Sequence, residues 1–488
     1  MLDEFFRRRI SDPIHGNIGL SDLESEIVSS RAFQRLHNVR QLGLAHLVFP
    51  GAAYSRFAHS VGACYNASSI LESLQRNSDI QIEKSRIIAL RLAALVHDIG
   101  HYPFSHATEH LVVDYYKRKD LLLQVRPAEA FVERGAGDLP SPIGDLTPLG
   151  VSDPPAFGHE DVGRLIVSSD SELAEIFLRH GLDAALVSEL LGKAMPEPLL
   201  PIISSDLDCD RLDYLNRTAH FSGTPYGSVD IRFLVDQSTI DCEGKFCFEN
   251  KAVRAADHLL VSRYYDHLQV PFHKTVAALE WSLTESITAL MDRGIVDFSS
   301  RAIRASIANG IWRTFDDFSI IERFKELAIS LGSSDPILSA HLEAVLNRKA
   351  AKLLAAWEDF APLLNDDAYT LTIDAAERAT KDAATKFGLD SRRFRVWRNT
   401  KRISSVTSGD KLEDLDDGQL VEAIFIKNSL TNRAELLVSH RESLLYHLSD
   451  KRYTGVRIYY LPDANDSPDL RDKLRKEVIG AVKARATS

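Results

Sequence analysis

Apolar residues in the first 300 positions recur three and four apart, the spacing of helices that bury one face. The strongest of these patterns covers residues 84–98 and ends in His97 and Asp98. Further helical patterns cover residues 55–74, 105–118, 170–195 and 251–291, with breaks at Gly181 and Pro271. Because these patterns dominate, the chain is predicted to be mainly α-helical.

Two regions depart from the helical pattern. Residues 231–250 alternate with the period of strands around Glu243-Gly244-Lys245 and predict a small β-hairpin. From residue 366 the character changes to a helix at 374–386, a basic segment at 392–401, an acidic loop at 410–417, strands at 420–427 and 455–460 and a charged terminal helix. The predicted architecture is a helical domain over 1–299, a helical extension over 300–365 and a small C-terminal α+β lobe over 366–488.

The 488 residues are 44% hydrophobic and 26% charged, as in an ordinary soluble globular protein. The net charge of −11 lacks the basic character of nucleic-acid-binding proteins, so a nucleic-acid partner stays open but is not favoured. No apolar run reaches the roughly 18 residues of a membrane span, and the start lacks the charge order of a secretory signal. A cytoplasmic protein without a membrane partner is expected, and in that compartment a Cys242–Cys247 disulfide is disfavoured.

The helical pattern that ends at residue 98 runs into a cluster of metal-ligating side chains. His97, Asp98, His101 and His106 fall within ten residues. His97 and His101 are four apart, which would place them on one helix face. Pro103 forces a turn that would bring His106 in from another direction. Imidazole and carboxylate groups together are the ligand set of hydrolytic transition-metal sites, so the stretch predicts a metal centre.

Other parts of the chain supply matching groups in a fixed order. That order is His59, His97-Asp98, His159 and Asp210. His59 lies beside Gly62, where a small residue permits close approach of another element. One metal held by two His and two Asp suits Fe, Mn, Zn or Ni better than Ca. Such an ion lowers the pKa of a bound water and stabilises charge on a phosphoryl group.

Two further groups of polar residues share helix faces. The acidic face carries Asp206, Asp210 and Asp213, and the basic face carries Arg263, His267 and Lys274. An acidic face alone is most often solvated, whereas the basic face fits a phosphate clamp as well as it fits solvent exposure. The chain has no GxxxxGK[ST] motif, so a P-loop mode of triphosphate binding is not supported.

Taken in order, these pieces resemble the HD phosphohydrolases, and more closely the deoxynucleoside triphosphate (dNTP) triphosphohydrolases of animals and bacteria. The matching segments are DPIHG at 12–16, FQRL at 33–36, QLG at 41–43, VFPGA at 48–52, RFAHS at 56–60, HDIGH at 97–101, PFSH at 103–106, HE at 159–160 and DRLDY at 210–214. The resemblance covers residues 9–290 well and 420–462 weakly. It implies a helical HD-domain core and a homo-oligomer, either a dimer or a tetramer.

The resemblance also implies a role for each matching residue. Metal ligands would be His59, His97, Asp98 and Asp210, and triphosphate ligands would be Arg56, Arg211, Arg263 and Lys274. His101, His106 and His159 would lie at the α-phosphate. His106 would protonate the departing 5′ oxygen in relay with Glu109, a position at which the family usually has Asp. Contacts to the sugar and base would come from Gln41, Leu42 and Tyr214.

The implied reaction is attack of water at the α-phosphorus of a dNTP. It releases a deoxynucleoside and inorganic triphosphate, and it depends on a divalent transition metal (Fe, Mn, Zn or Ni), with Mg²⁺ as a candidate additional ion on the triphosphate. Neutralising a triphosphate needs several cations in one cleft, and arginine is suited to that because it binds phosphate in bidentate fashion.

Four positions depart from the pattern of the animal enzyme. Thr218 and Pro271 stand where it has an Asp and a Tyr at the sugar, and Ser29 and His37 replace an Asp and an Arg of its guanine-nucleotide regulatory site. A ribonucleotide, a nucleoside monophosphate or the 3′ end of single-stranded nucleic acid therefore stays open as the substrate. A non-enzymatic binding protein is a third hypothesis, although every metal-ligand position holds a competent residue. Residues 135–158, rich in Gly, Pro, Ser and Asp, predict a long surface loop.

Overall fold

The computed structural model describes residues 6–125, 154–192, 198–363 and 366–486. Up to residue 347 its elements are β1 (Arg8–Asp12), β2 (Gly16–Leu20), α1 (Asp22–Ser29), α2 (Arg31–Gln34), α3 (Arg56–Asn77), α4 (Lys84–Val96), α5 (His106–Val125), α6 (His159–Ser169), α7 (Ser171–Arg179), α8 (Ala184–Leu191), α9 (Cys209–Ser222), α10 (Ile231–Asp236), β3 (Ser238–Ile240), β4 (Phe246–Glu249), α11 (Val253–Gln269), α12 (Lys274–Asp292), α13 (Ser300–Ala308), α14 (Asp317–Leu331) and α15 (Pro336–Asn347). They are followed by β5 (Lys352–Pro362), α16 (Asp366–Phe387), β6 (Phe394–Arg402), α17 (Asp417–Glu422), β7 (Phe425–Lys427), β8 (Ala434–Leu436), α18 (Leu445–Leu448), β9 (Lys451–Tyr460) and α19 (Leu470–Ala486). None of the described helices is both long enough and apolar enough to cross a bilayer.

The helical domain is built around α3, which packs against α4 on one side and α9 on the other. Most of the predicted apolar positions of α3 and α4 are buried, and these include Val61, Cys64, Ile70, Leu71, Leu92, Leu95 and Val96. Full burial of a large aliphatic side chain stabilises the fold by about 1.5–3 kcal/mol. The prediction of a mainly helical chain is confirmed.

The predicted hairpin is present, with β3 antiparallel to β4. Residues 231–236, which were included in the hairpin prediction, form the short helix α10 instead. The sheet then continues from β4 to β7, which runs parallel to it, and on to β8. The C-terminal lobe is therefore joined to the helical domain through a shared sheet. Cys242 and Cys247, at the hairpin turn, are free cysteines.

The prediction that residues 300–365 are helical throughout is wrong for residues 352–362. These residues form β5, which pairs antiparallel with β9 in a sheet of order β5-β9-β6. Their Leu and Ala residues suit a helix by local preference, but α16 and α19 pack over the sheet and bury Leu354 and Ala355. Burial in tertiary contacts thus outweighs the local preference.

The structure also refines other parts of the predicted C-terminal half. The basic segment at 392–401 forms most of β6, and the predicted helix at 374–386 begins earlier, at residue 366. The strand predicted at 420–427 is shortened to β7 because α17 occupies its first residues. The loop predicted at 135–158 falls mostly on residues 126–153, outside the described ranges. The division into three domains stays a prediction.

The segment between α4 and α5 is a series of turns, not a continued helix. Because α4 ends at Val96, the prediction that His97 and His101 share a helix face is wrong. The turn predicted at Pro103 is confirmed: Phe104 and Ser105 adopt positive φ values of 57° and 60°, and α5 begins at His106. Such backbone is costly for residues other than glycine and needs support from its surroundings.

That support comes from Asp317, the first residue of α14. Its Oδ1 accepts a hydrogen bond from the Phe104 backbone N–H at 2.7 Å, and its Oδ2 accepts one from the Arg40 backbone N–H at 3.1 Å. The hydroxyl of Ser105 donates to the Arg40 carbonyl oxygen at 2.8 Å. The turn that carries His106 is therefore fixed by a carboxylate distant in the chain.

Two glycines permit close approaches on which the arrangement of helices depends. A Cβ atom on Gly62 would lie 1.9 Å from Oδ1 of Asp213, so α9 reaches α3 only because residue 62 has no side chain. A Cβ atom on Gly100 would lie 2.2 Å from the carbonyl oxygen of His159, at the start of α6. The close approach of another element predicted beside His59 is confirmed.

We predict that Gly62→Ala lowers the free energy of unfolding by about 2 kcal/mol, because overpacking displaces a buried carboxylate and outweighs the gain in helix propensity. Gly480→Ala is the matched control: this glycine lies exposed in α19 with nothing within 4 Å of an added Cβ. The control should be neutral or stabilising by up to about 1 kcal/mol. Urea denaturation measures both, and equal stability of the two variants would contradict the packing described.

Candidate metal centre and nucleotide cavity

A cavity of about 410 Å³ opens between the turn at 97–105, α9, α11 and the C-terminal lobe. The predicted site residues that line it are Gln41, Leu42, Arg56, His97, Asp98, His101, His106, His159, Asp210, Arg211, Tyr214 and Arg263. His59 and Glu109 lie directly behind this lining, in contact with Asp210 and His159. Lys274 lies elsewhere and lines a separate cavity formed with β5 and α19.

The four predicted metal ligands converge at the floor of the cavity. Oδ1 of Asp210 lies 2.9 Å from Nε2 of His59 and 3.8 Å from Nε2 of His97. The carboxylate oxygens of Asp98 lie 3.6 Å and 3.3 Å from the same two nitrogens. Both Nε2 atoms are buried and make no hydrogen bond of suitable geometry in the described part of the chain. Two such imidazole nitrogens among carboxylate oxygens fit a divalent transition metal.

The second nitrogen of each ring fixes its orientation. Nδ1–H of His97 donates to the carbonyl oxygen of Ala94 at 2.8 Å. Nδ1–H of His59 donates to Oδ2 of Asp213 at 2.7 Å. These bonds select the tautomer in which the Nε2 lone pair faces the cavity, as metal-binding histidines require.

Asp213, for which the sequence suggested no role, is buried at the contact between α3 and α9. Arg217 donates to both of its oxygens at 2.8 Å, and Nε2 of His15 lies 2.7 Å from Oδ1. Arg217 also pairs with Asp12 at 2.8 Å. Burial alone would raise the pKa of Asp213, but hydrogen bonds from Arg217, His15 and His59 hold it far below its ordinary value. The DPIHG and DRLDY segments are therefore in contact at Asp213. Their separation in the sequence gave no indication of this contact.

Three histidines form one wall of the cavity around Glu109. The rings of His101 and His159 stack with centroids 3.9 Å apart, and His106 meets both rings edge to face. Glu109 accepts from Nδ1 of His159 at 2.8 Å and from Nδ1 of His106 at 3.1 Å. Burial opposes ionisation of Glu109, but these hydrogen bonds hold its pKa far below the ordinary value. The carboxylate thus orients two imidazoles at once.

Arg56 links the metal ligands to the phosphate side of the cavity. Its Nη1 donates to Oδ2 of Asp98 at 2.5 Å and its Nε donates to Oγ of Ser105 at 2.7 Å, while Nη2 is buried without a partner among the described residues. Burial would raise the pKa of Asp98, but the charge of Arg56 holds it well below the ordinary value. The free Nη2 is a preoriented donor for an anionic ligand.

Two further arginines are held in place by carboxylates. Nη1 of Arg263 donates to Oδ1 of Asp206 at 3.0 Å, and its Nε is buried without a partner in the described ranges. Nη1 of Arg211 donates to Oδ2 of Asp208 at 2.5 Å. The acids at 206 and 208 therefore orient cations at the cavity wall, and Asp206 does not lie on a solvated face.

The structure places the two residues that depart from the animal enzyme at the sugar. Thr218 is fully buried, and its Oγ1 lies 2.8 Å from the hydroxyl of Tyr54, whose side chain lines the cavity. Pro271 is part of the lining. Oε1 of Gln41 is buried and unpaired within the described chain, so it is available to a ligand. Tyr54 carried no recognisable signal in the sequence.

Comparisons with known proteins bear on the same region of the chain. Residues 56–139 match the HD domain family, which confirms the resemblance identified in the sequence. The uncharacterized protein MJ1154 of Methanocaldococcus jannaschii is 30% identical over 304 residues, which are 61% of this chain and 53% of that protein. The deoxynucleoside triphosphate triphosphohydrolase SAMHD1 of Danio rerio is 27% identical over 297 residues, 57% of this chain and 44% of that protein.

The chain thus spans about half the length of these curated relatives. Among solved structures, a phosphohydrolase from Bacteroides thetaiotaomicron has the same fold with a TM-score of 0.65 at 21% identity. That superposition covers 93% of this chain and 100% of the other. The fold of the whole described chain, including the C-terminal lobe, is therefore one already seen in solved structures.

We predict that Asp210→Ala and His97→Ala each lower the affinity for Mn²⁺ by at least about 10-fold, because each removes a ligand atom from the floor of the cavity. His220→Ala is the matched control, since His220 is exposed on the same helix as Asp210. Metal content after dialysis, measured by inductively coupled plasma mass spectrometry, reports the outcome. Full metal content in both ligand variants would show that the ion binds elsewhere.

Proposed function

We propose that the protein is a metal-dependent phosphohydrolase that converts dNTPs to deoxynucleosides and inorganic triphosphate. The observation that carries the proposal is the convergence of His59, His97, Asp98 and Asp210 at the floor of a cavity walled by three arginines. A metal-ligand set next to fixed cationic donors suits a phosphate ester more than any uncharged substrate.

The ion held by these four residues would supply Lewis-acid activation of water and of a phosphoryl oxygen. The arginines bind the triphosphate and neutralise its charge without needing to reorganise, because Asp98, Asp206 and Asp208 already hold them. Orienting donors in advance lowers the barrier since no protein dipole has to turn during the reaction.

His106 is the proposed general acid. Its Nδ1 is bonded to Glu109, which leaves Nε2 as the atom that gives a proton to the departing 5′ oxygen. Glu109 stays ionised and stabilises the imidazolium that precedes this transfer. His101 and His159 stack beside it and confine the α-phosphate to the metal side of the cavity.

The relatives support this proposal at the level of their names. The matched relative from Danio rerio is named as a dNTP triphosphohydrolase, and the Bacteroides structure as a phosphohydrolase. A cytoplasmic location, a homo-oligomeric state and an additional Mg²⁺ stay predictions.

A second substrate class is favoured by one observation at the sugar. Thr218 is bonded to Tyr54 and Pro271 occupies the lining, so neither position offers the groups expected to recognise deoxyribose. Hydrolysis of ribonucleotides, nucleoside monophosphates or 3′ ends of single-stranded nucleic acid by the same site is therefore the alternative proposal.

We predict that the Mn²⁺-loaded protein releases deoxynucleoside and inorganic triphosphate in equal amounts when it is incubated with the four dNTPs. The same panel includes the four NTPs, deoxynucleoside monophosphates and a labelled oligonucleotide, with products separated by anion exchange. Release of pyrophosphate or orthophosphate from dNTPs would contradict attack at the α-phosphorus. Turnover of another substrate class alone would establish the alternative.

In the same assay His106→Gln should retain the metal but lose about 10²–10⁴-fold in kcat, the contribution expected of a general acid. His110→Gln is the matched control because His110 is exposed one turn further along α5. Wild-type kcat in His106→Gln would remove this residue from the proposed chemistry.

A further inference from the structure

Lys401 projects into the cavity from the C-terminal lobe. It lies on β6, outside the segments that carry the resemblance, and it lines the same cavity as Arg211 and Arg263. In the sequence it was only part of a basic segment. A strand of the C-terminal lobe therefore ends at the wall of the candidate active site and contributes a cation to it.

The chain that follows Lys401 is bonded firmly to that wall. The carbonyl oxygen of Ile403 accepts from Nη2 of Arg263 at 3.1 Å. Ser405 donates to Oδ2 of Asp206 from its backbone N–H at 2.9 Å and from its hydroxyl at 2.8 Å. Because Asp206 also holds Arg263, these bonds fix Lys401 and Arg263 relative to each other.

The ammonium group of Lys401 has no carboxylate within ion-pair distance among the described residues, although it is largely removed from solvent. Burial first, and then the charges of Arg263 and Arg211, lower its pKa to about 7, while Asp206 and Asp266 act in the opposite direction. A cation placed beside two others without its own counterion is unfavourable in the free protein. An anionic ligand would relieve that cost.

The position of Lys401 in the cavity wall indicates which part of a ligand it faces. It lines the cavity together with Arg211 and Arg263, which were predicted to bind the triphosphate, and the residues that follow it bond to Arg263 and Asp206 and not to a predicted metal ligand. The α-phosphate of a bound nucleotide lies at the metal ligands under the proposed function. Lys401 therefore faces the phosphate groups further along the chain.

We propose that Lys401 binds the phosphate groups of the nucleotide beyond the α-phosphate, so that the C-terminal lobe completes the substrate site. This inference rests on the proposed function for the identity of the ligand. Lys401 takes the place at the cavity that the sequence analysis had predicted for Lys274, which the structure leaves in a separate cavity.

The test compares Lys401→Met with Lys401→Arg and with Lys381→Met, a matched control on the exposed face of α16. Three quantities are measured on full-length, Mn²⁺-loaded protein: KM and kcat for dNTPs, and the affinity for inorganic triphosphate by calorimetry. Lys401→Met should raise KM and weaken triphosphate binding by about 10-fold or more, with kcat changed much less, because a charge-assisted contact to phosphate is lost. Lys401→Arg should retain most of the affinity, and Lys381→Met should behave as wild type.

The melting temperature of Lys401→Met distinguishes ligand binding from a purely structural role of Lys401, because loss of a structural contact would lower it. Since the unpaired ammonium destabilises the free protein, Lys401→Met should melt at a higher temperature than wild type while binding triphosphate more weakly. Lys401→Gln, which keeps a polar side chain, serves if the Met variant does not fold.

The outcomes separate this inference from the proposed function. Unchanged triphosphate affinity in Lys401→Met, or a wild-type protein that binds no triphosphate, overturns the role of Lys401. If dNTPs are not hydrolysed but Lys401→Met still weakens triphosphate binding, the proposed reaction fails and the role of Lys401 stands.

Discussion

The contact between α3 and α9 at Gly62 decides where the ligands of the candidate metal centre lie. Asp213 enters the space that a side chain at position 62 would fill and bonds to His59, one turn away on α3. Arg217 neutralises this carboxylate from the same helix. A buried charge of this kind is tolerated only when its hydrogen bonds are complete, and here they are. Asp210 is placed by the same helix contact, opposite His97.

The remaining charges of the cavity follow the same rule. Each arginine at the wall is bonded to a carboxylate and still keeps an N–H free or faces open space. The guanidinium groups are therefore held in position but can still donate hydrogen bonds to a ligand. A polyanion with its metal ion therefore finds donors already oriented, which reduces the cost of reorganisation on binding. The shared sheet and the bonds from Ser405 to Asp206 make the C-terminal lobe part of this arrangement.

Much of the site could be predicted because its chemistry is local in the chain. Adjacent His97 and Asp98, the turn at Pro103 and the glycine beside His59 are each visible in a few residues, and the order of motifs supplied the remaining ligands. Asp213 could be seen on a helix face, but two of its partners could not, since His15 and His59 reach it from distant parts of the chain.

Errors arose where tertiary contacts outweigh local pattern. Residues 352–362 were predicted to be helical because their Leu and Ala residues favour a helix. In the structure, pairing with β9 and packing against α16 and α19 stabilise them as a strand. Lys401 was not recognised because it reaches the cavity from the C-terminal lobe, and no motif in the sequence indicates how that lobe packs against the helical domain. Lys274 has suitable spacing on α12 but faces away, because the break between α11 and α12 redirects the chain.

Anomalous diffraction from crystals grown with Mn²⁺ tests the central claim most directly. The account predicts one strong peak bounded by His59, His97, Asp98 and Asp210. The side chains of His101, His106, Glu109 and His159 also place ligand atoms within 4.8 Å of one another, and they provide the internal comparison. A peak at that second group alone, or no peak at the floor of the cavity, would contradict the assignment of the metal centre.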